Sequence, residues 1–280
     1  MRRFANILCT SIGSLLLFPF ALGADFETGL RAYQNGDYTT ALAEWLPLAE
    51  AGDADIQLRV GAMFDKGQGT APDKVLAAEW YRRAAEQGNN EAASLLGVMY
   101  DQGAGVPQDY TQSVHWMQIS AAGGDATGQY FLGTYYAIGH GVVKDLSEAS
   151  KWFELAADQG LAFAQAILGM HYRDGIGVPQ NYTEAARWYR LAAEQGDKFG
   201  ECGLCILYLG KPGFKRDVAQ AYYWCSLAAA QGMRVGAMAR DLAAQNISPK
   251  DLAKAQDLAI QFVPKPSNQT LKLSSRIPLP

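Results

Sequence analysis

The six tryptophans of this chain stand in one register. Trp45, Trp80, Trp116, Trp152, Trp188 and Trp224 are separated by 35, 36, 36, 36 and 36 residues. A fixed period of about 20–50 residues marks a chain built by stacking one supersecondary unit. A unit of that size cannot bury its apolar face alone and shares it with its neighbours. The period therefore argues against one central core for the 280 residues. It selects a solenoid, which lengthens by addition.

The rest of the unit keeps the same period. Leu96 recurs as Leu132, Leu168 and Leu204, with Val60 before it, and Tyr100 recurs as Tyr136, Tyr172 and Tyr208, with Phe64 before it. Residues four apart share one helix face. Beside them runs a column of Gly61, Gly97, Gly133 and Gly169, with Cys205 in the last unit. A glycine inside a helix costs about 1 kcal/mol relative to alanine, so the column predicts close approach of a second helix. The first helix ends at Gly67-Gln68-Gly69, Gly103-Ala104-Gly105, Gly139-His140-Gly141 and Gly175-Ile176-Gly177, where glycine supplies a left-handed cap. No Gly-Lys-Ser/Thr follows these turns, as a phosphate loop would require. Asp73, Asp109, Asp145, Asn181 and Asp217 are the N-caps of the second helices. Within one of those, Ala185, Trp188, Tyr189 and Ala192 form an apolar stripe. The tryptophans are thus read as core, not as a platform for stacking a ligand.

The stretches Leu96-Gly97-Val98-Met99-Tyr100 and Ala186-Arg187-Trp188-Tyr189 resemble the Sel-one-like repeat, a cousin of the tetratricopeptide repeat. The resemblance implies an all-α fold, a right-handed α-solenoid of stacked antiparallel helix pairs forming a tetratricopeptide-like superhelix. Five 36-residue repeats are expected over 53–232, after a shorter helical hairpin at 25–52. A capping helix pair is expected at 233–262, broken at Asn246-Ile247-Ser248-Pro249. From Val263 to Pro280 the prolines and polar residues read as a disordered tail.

Residues 1–24 read as a secretory signal peptide. Arg2 and Arg3 precede an apolar run from Ile7 to Leu22, and small residues Ala21 and Gly23 precede Asp25. The run contains Pro19 and is shorter than the ~20 residues a membrane span needs. Export to the periplasm is expected, with secretion as the alternative, and no integral membrane span after cleavage. The formal net charge of -4 lacks the basic stripe of a nucleic-acid binder. Export places Cys202, Cys205 and Cys225 in an oxidising compartment. Cys205 stands in the close-contact column and Cys225 follows Trp224 on the facing helix, so Cys205–Cys225 is the favoured disulfide. Cys202–Cys225 is the alternative, and three unbonded small hydrophobes the third possibility.

The resemblance to tetratricopeptide repeats points to the face of the first helices, opposite the Leu, Gly and Tyr columns, as a groove for a protein or peptide. Its candidate residues are Tyr130, Thr134, Phe163, Met170, Arg173, Phe199 and Ile206. The N-terminal end of this face is acidic, with Asp55, Asp65, Glu91 and Asp101. The competing reading packs the same side chains between neighbouring helices. His115, His140 and His171 occupy three different repeat positions. No catalytic, metal or cofactor residues are assigned, and no cofactor is expected. The functional expectation is a non-enzymatic periplasmic scaffold or adaptor, regulating an envelope signalling or assembly complex. The alternatives are an envelope enzyme or cell-wall (peptidoglycan or β-lactam) binding protein, and a secreted factor that contacts a host. Cysteine-rich relatives described as β-lactamase-like carry a cysteine pair in nearly every repeat, whereas the exported part of this chain has cysteines in one.

Overall fold

Asp and Asn side chains set where the helices begin. The computed structural model describes residues 25–265; the expected signal peptide lies outside them. Among the described residues there are fourteen helices and no strand. They are α1 (Phe26–Gln34), α2 (Tyr38–Glu50), α3 (Ala54–Lys66), α4 (Lys74–Glu86), α5 (Asn90–Gln102), α6 (Tyr110–Ala122) and α7 (Ala126–Ile138). They continue as α8 (Leu146–Asp158), α9 (Ala162–Asp174), α10 (Tyr182–Glu194), α11 (Lys198–Tyr208), α12 (Val218–Ala230), α13 (Arg234–Ala244) and α14 (Pro249–Gln261). Asp73, Asp109, Asp145, Asn181 and Asp217 cap the even helices by accepting their first free N–H groups. Asp53, Asn89, Asp125 and Asp197 do the same for the odd helices, where Leu161 offers no side-chain bond. Such a cap stabilises a helix by about 1 kcal/mol. From α1 to α13 each helix packs on its neighbours in sequence, and α5 also touches α7, α9 touches α11 and α11 touches α13. The fold is an all-α helical repeat.

The glycine column is the closest contact within each pair. A methyl group at Gly169 would lie 2.7 Å from the Tyr189 ring, and one at Gly61 2.8 Å from Tyr81. Gly97 faces Met117 and Gly133 faces Phe153 in the same way. The residue after Trp80, Trp116, Trp152 and Trp188 thus lies over the glycine backbone, and at the first pair Trp45 itself meets Gly29. The tryptophans themselves are core: Trp45 is fully buried, and Trp80, Trp116, Trp188 and Trp224 are buried. Trp152 is half-buried. The indole N–H groups of Trp116, Trp152 and Trp188 are enclosed without a partner, so ring packing holds these three, whereas Trp45 donates to the Phe26 carbonyl at 3.3 Å and Trp224 to the Gln220 side chain at 3.2 Å.

The second glycine of each turn joins one pair to the next. Gly177 has φ +68, and a side chain there would strike the Leu146 carbonyl oxygen at 2.0 Å. The turn after α9 therefore presses on the first residue of α8, the even helix of the preceding pair.

The C-terminal end departs from simple stacking. α14 packs on α12, and Phe262 places its ring against Tyr223 and Trp224. Val263, Pro264 and Lys265, expected as the start of a disordered tail, lack regular secondary structure; Val263 is exposed, while Pro264 and Lys265 are docked. The Lys265 N–H donates to the Glu194 carbonyl at 2.8 Å, and Pro264 lies against Gly196. The remaining tail, from residue 266, lies outside the described residues.

Helix propensity alone would make Gly169→Ala stabilising by about 1 kcal/mol. The clash with Tyr189 reverses that sign: we expect a loss of about 1–3 kcal/mol, as for an overpacked core. A thermal melt that rises instead would remove the close-contact role of the column.

Candidate protein-binding groove

The faces of α9 and α11 that point away from the even-helix partners meet in an apolar hollow of about 280 Å³. Phe163, Met170 and Arg173 enter it from α9, and Phe199 and Ile206 from α11. These five were singled out from sequence, and the structure brings them together. The hollow remains open: Phe199 is 43% exposed. Phe163 meets Phe199 edge to face at 5.6 Å, a geometry that favours aromatic pairs.

Tyr130 and Thr134, the other two candidates, lie outside this hollow. The Tyr130 ring is half-buried, packed edge-on to Phe131 at 5.4 Å and to Phe163 at 6.3 Å. Burial pushes its phenol up from the ordinary tyrosine value. The Thr134 hydroxyl donates to the Tyr130 backbone carbonyl at 3.0 Å. Tyr130 is chiefly a packing residue that buttresses Phe163 from the preceding repeat.

Arg173 is the charged group of the hollow. Its Nε donates to the Asp174 carboxylate at 2.8 Å, which holds that carboxyl below the usual range. Sequence reasoning missed Ile167, Tyr189, Gly203 and Met233 as further lining. Gly203 admits the Tyr189 ring, which would sit 2.5 Å from an added methyl; the glycine was visible in the sequence but lies outside the repeating column. Cys202 also lines the hollow as a buried free thiol, its ionisation pushed up by burial.

A second hollow of about 550 Å³ opens on the same face near the N-terminal end. Asp55, Asp65 and Glu91 line it with Arg59 and Lys66. Several of its charges have partners. Lys74 pairs with Asp65 at 2.6 Å, Asn89 donates to Asp55 at 2.9 Å, and Arg59 lies over the Phe26 and Trp45 rings. Partly exposed pairs of this kind are worth about 0–1 kcal/mol. Burying one large apolar side chain is worth about 1.5–3 kcal/mol.

The histidines serve the packing. His171 is buried, with Nδ1 at 2.7 Å from the Ser150 hydroxyl, and burial lowers its pKa. His140 lies 4.5 Å from the Tyr110 ring and His115 5.2 Å from the Trp116 ring. Among the described residues no three His, Cys, Asp or Glu side chains form a group that could hold a metal. Nor is any described helix long and apolar enough to cross a membrane.

Cys205 and Cys225 are disulfide-bonded, with Cα atoms 4.9 Å apart. They occupy the glycine and ring positions of the close contact, so a covalent bond replaces the glycine-over-ring packing in this last pair.

A model of the Sel1 repeat matches the chain five times, over residues 54–89, 90–125, 126–161, 162–197 and 200–233. The crystal structure of a Sel1 repeat protein from Oxalobacter formigenes is similar over 85% of this chain and 99% of its own, with 30% identity and a TM-score of 0.70. A lower similarity is found to c5321, a protective antigen present in uropathogenic Escherichia coli strains displaying an SLR fold. There the identity is 26%, with 91% of this chain and 71% of that one covered and a TM-score of 0.35. No curated protein matches the chain.

Closing the 20-residue separation between Cys205 and Cys225 contributes roughly 3 kcal/mol in the chain-entropy picture. Cys225→Ser should cost about that much in the melt. Mass spectrometry of the non-reduced chain lacking residues 1–24 should find one alkylatable thiol, Cys202; three would refute the bond.

Proposed function

The chain belongs to the Sel1 repeat family, whose helical repeats generally serve as protein-interaction scaffolds, and on that premise we propose that it is a non-catalytic adaptor holding a partner polypeptide along the face of its odd-numbered helices. The observation that carries this reading is the open convergence of Phe163, Met170, Phe199 and Ile206 on one hollow. Exposed apolar side chains gathered in one place are costly unless something covers them. A few such anchors usually supply most of the binding energy at a protein interface. The partner presents an apolar segment to this hollow, with a hydrogen-bond acceptor or carboxylate near Arg173. It runs toward the N-terminal hollow, where Asp55, Asp65 and Glu91 favour polar or basic groups.

The setting we propose is the periplasm, with an envelope signalling or assembly complex as the assembly served. The pattern of Arg2, Arg3 and the apolar run to Leu22 supports export. The Cys205–Cys225 disulfide supports it independently, because such bonds persist in oxidising compartments and are rare in reducing ones.

A photo-crosslinking residue at Met170 or Phe199 is expected to trap one discrete partner in cells, and the same residue at exposed Glu79 on α4 none. The double substitution Met170→Asp and Phe199→Asp should cut capture at least tenfold while far-ultraviolet circular dichroism stays unchanged; each buried anchor is worth about 1.5–3 kcal/mol. Crosslinks from Glu79 equal to those from Phe199 would move the interface to the even-helix face.

A further inference from the structure

A glutamine clasp ties successive repeats together, and one of its members is an acid. The Gln57 amide donates to the Ala49 carbonyl at 2.9 Å, while its oxygen accepts from the Gln87 amide at 2.7 Å. Gln129 joins the Ala121 carbonyl to Gln159, and Gln165 joins the Ala157 carbonyl to Gln195, in the same two-armed way. Each side chain bridges the end of the preceding even helix to the end of the following one. Ala49, Ala121 and Ala157 also accept the N–H of the glycine three residues on, as Ala193 accepts that of Gly196. The cap residue's N–H also reaches each of these carbonyls, so all four stand in the same C-terminal setting.

The clasp demands a donor on one arm and an acceptor on the other. A primary amide supplies both, and so does a protonated carboxyl; an ionised carboxylate supplies only acceptors. At this position the last repeat has Glu201, 1% exposed. Its Oε2 accepts from the Gln231 amide at 2.9 Å, so the acceptor arm is intact. The donor arm corresponds to Ala193, eight residues back as in the other three repeats.

We propose that Glu201 is a proton-operated clasp. Protonated, it donates to the Ala193 carbonyl and locks α10, α11 and α12 as the glutamines lock the other repeats. Ionised, it sets an acceptor against an acceptor in a buried joint and loosens the C-terminal repeat. Cys202 and Gly203, its neighbours on α11, and Met233, just past Gln231, line the apolar hollow. The joint's state thus sets the shape of that end of the groove. This last consequence rests on the groove reading; the clasp itself does not.

The surroundings fit such a titration. Burial pushes the Glu201 carboxyl up to about 7; the Gln231 bond opposes the rise and the charge of Asp197 adds to it. The charged and titratable groups on the packed elements are Asp197 at the start of α11, Tyr223 on α12, Glu194 at the end of α10, Arg173 on α9 and Arg234 on α13. Asp197 is itself pushed up to about 6 by burial. Tyr223 is pushed up by burial and by both Glu201 and Glu194. Arg173 is engaged with Asp174, and Arg234 is exposed. A carboxyl whose pKa is higher in the folded chain than in the unfolded one favours folding while protonated. The contribution is full below the unfolded value and is lost as pH rises through about 7.

Amide hydrogen exchange of the partner-free chain lacking residues 1–24, compared with E201Q between about pH 5 and 6.5, below the folded value of about 7 and above the unfolded one, tests this. In the wild type the opening equilibrium of α11–α12 should rise roughly tenfold per pH unit more steeply than in E201Q, after correction for intrinsic exchange. Asp197 is present in both chains and cancels. Equal slopes overturn the clasp. A carbon-13 titration of the Glu201 carboxyl provides a second readout on the unmutated protein: a midpoint near 7 supports the clasp, and one below 5 refutes it. Neither readout involves a partner, so failure of the groove reading would leave both unaffected.

Discussion

Everything in this solenoid depends on how closely the two helices of a pair approach. The missing side chain at Gly61, Gly97, Gly133 and Gly169 lets a ring or a methionine from the facing helix lie directly on the backbone. The cost is a glycine in a helix, about 1 kcal/mol each. The return is dense packing, since interiors forfeit much of their attraction when even small gaps open. It also fixes the height of one helix relative to the other, because the contact tolerates little sliding. The last pair meets the same requirement differently. Cys205 and Cys225 occupy the two contact positions and fuse them. The bond follows from the repeat geometry: the positions that approach most closely are those a disulfide can join.

Contact between pairs is made by other means. The second turn glycine brings each turn onto the start of the previous even helix, and the glutamine clasp spans three helices at the opposite end. One repeat lacks the clasp in both halves at once. Ala93 and Gly123 stand where glutamines would, and Asn90 reaches the Gly123 carbonyl at 3.0 Å instead. Loss of both partners together is what a two-sided bond predicts, because a lone buried amide would be left unsatisfied at a cost of about 1–3 kcal/mol.

Much of this was legible in the sequence, for a physical reason. A solenoid writes its contacts locally, so a single period in Trp, Leu, Gly and Asp reveals the helices, their caps and their buried faces. The glycine column announced a close approach before any partner ring was known. The groove was legible in part. Phe163, Met170, Phe199 and Ile206 converge as their register implies, but Tyr130 turns into the packing between helices. Register places a residue on a face; whether the ring stays on that face or folds between neighbours depends on the size of the adjacent side chains. Gly203 and Met233 escaped notice because each acts outside the repeating columns. The clasp could have been found from Gln57, Gln129 and Gln165 recurring with Gln87, Gln159 and Gln195. It was passed over because polar residues near helix ends ordinarily face solvent.

The departures from the repeat are not spread evenly. The bonded cysteines, the free Cys202, Glu201 in place of glutamine and the shortened α11 all fall between Lys198 and Cys225. The docked residues Phe262, Pro264 and Lys265 close over the same region. A repeat protein gains stability from each unit obeying the same rules, so local violations need a local return. Two of these changes act in opposite directions. The disulfide ties α11 to α12 whatever the solution conditions, while a buried acid makes the neighbouring joint conditional on a proton. A unit fastened to its own pair yet conditionally fastened to the preceding one can shift as a block without unfolding. That block carries one wall of the apolar hollow, Phe199 and Ile206, while Phe163 and Met170 on α9 carry the other. On the clasp proposal, the hollow straddles a joint whose strength a proton on Glu201 varies.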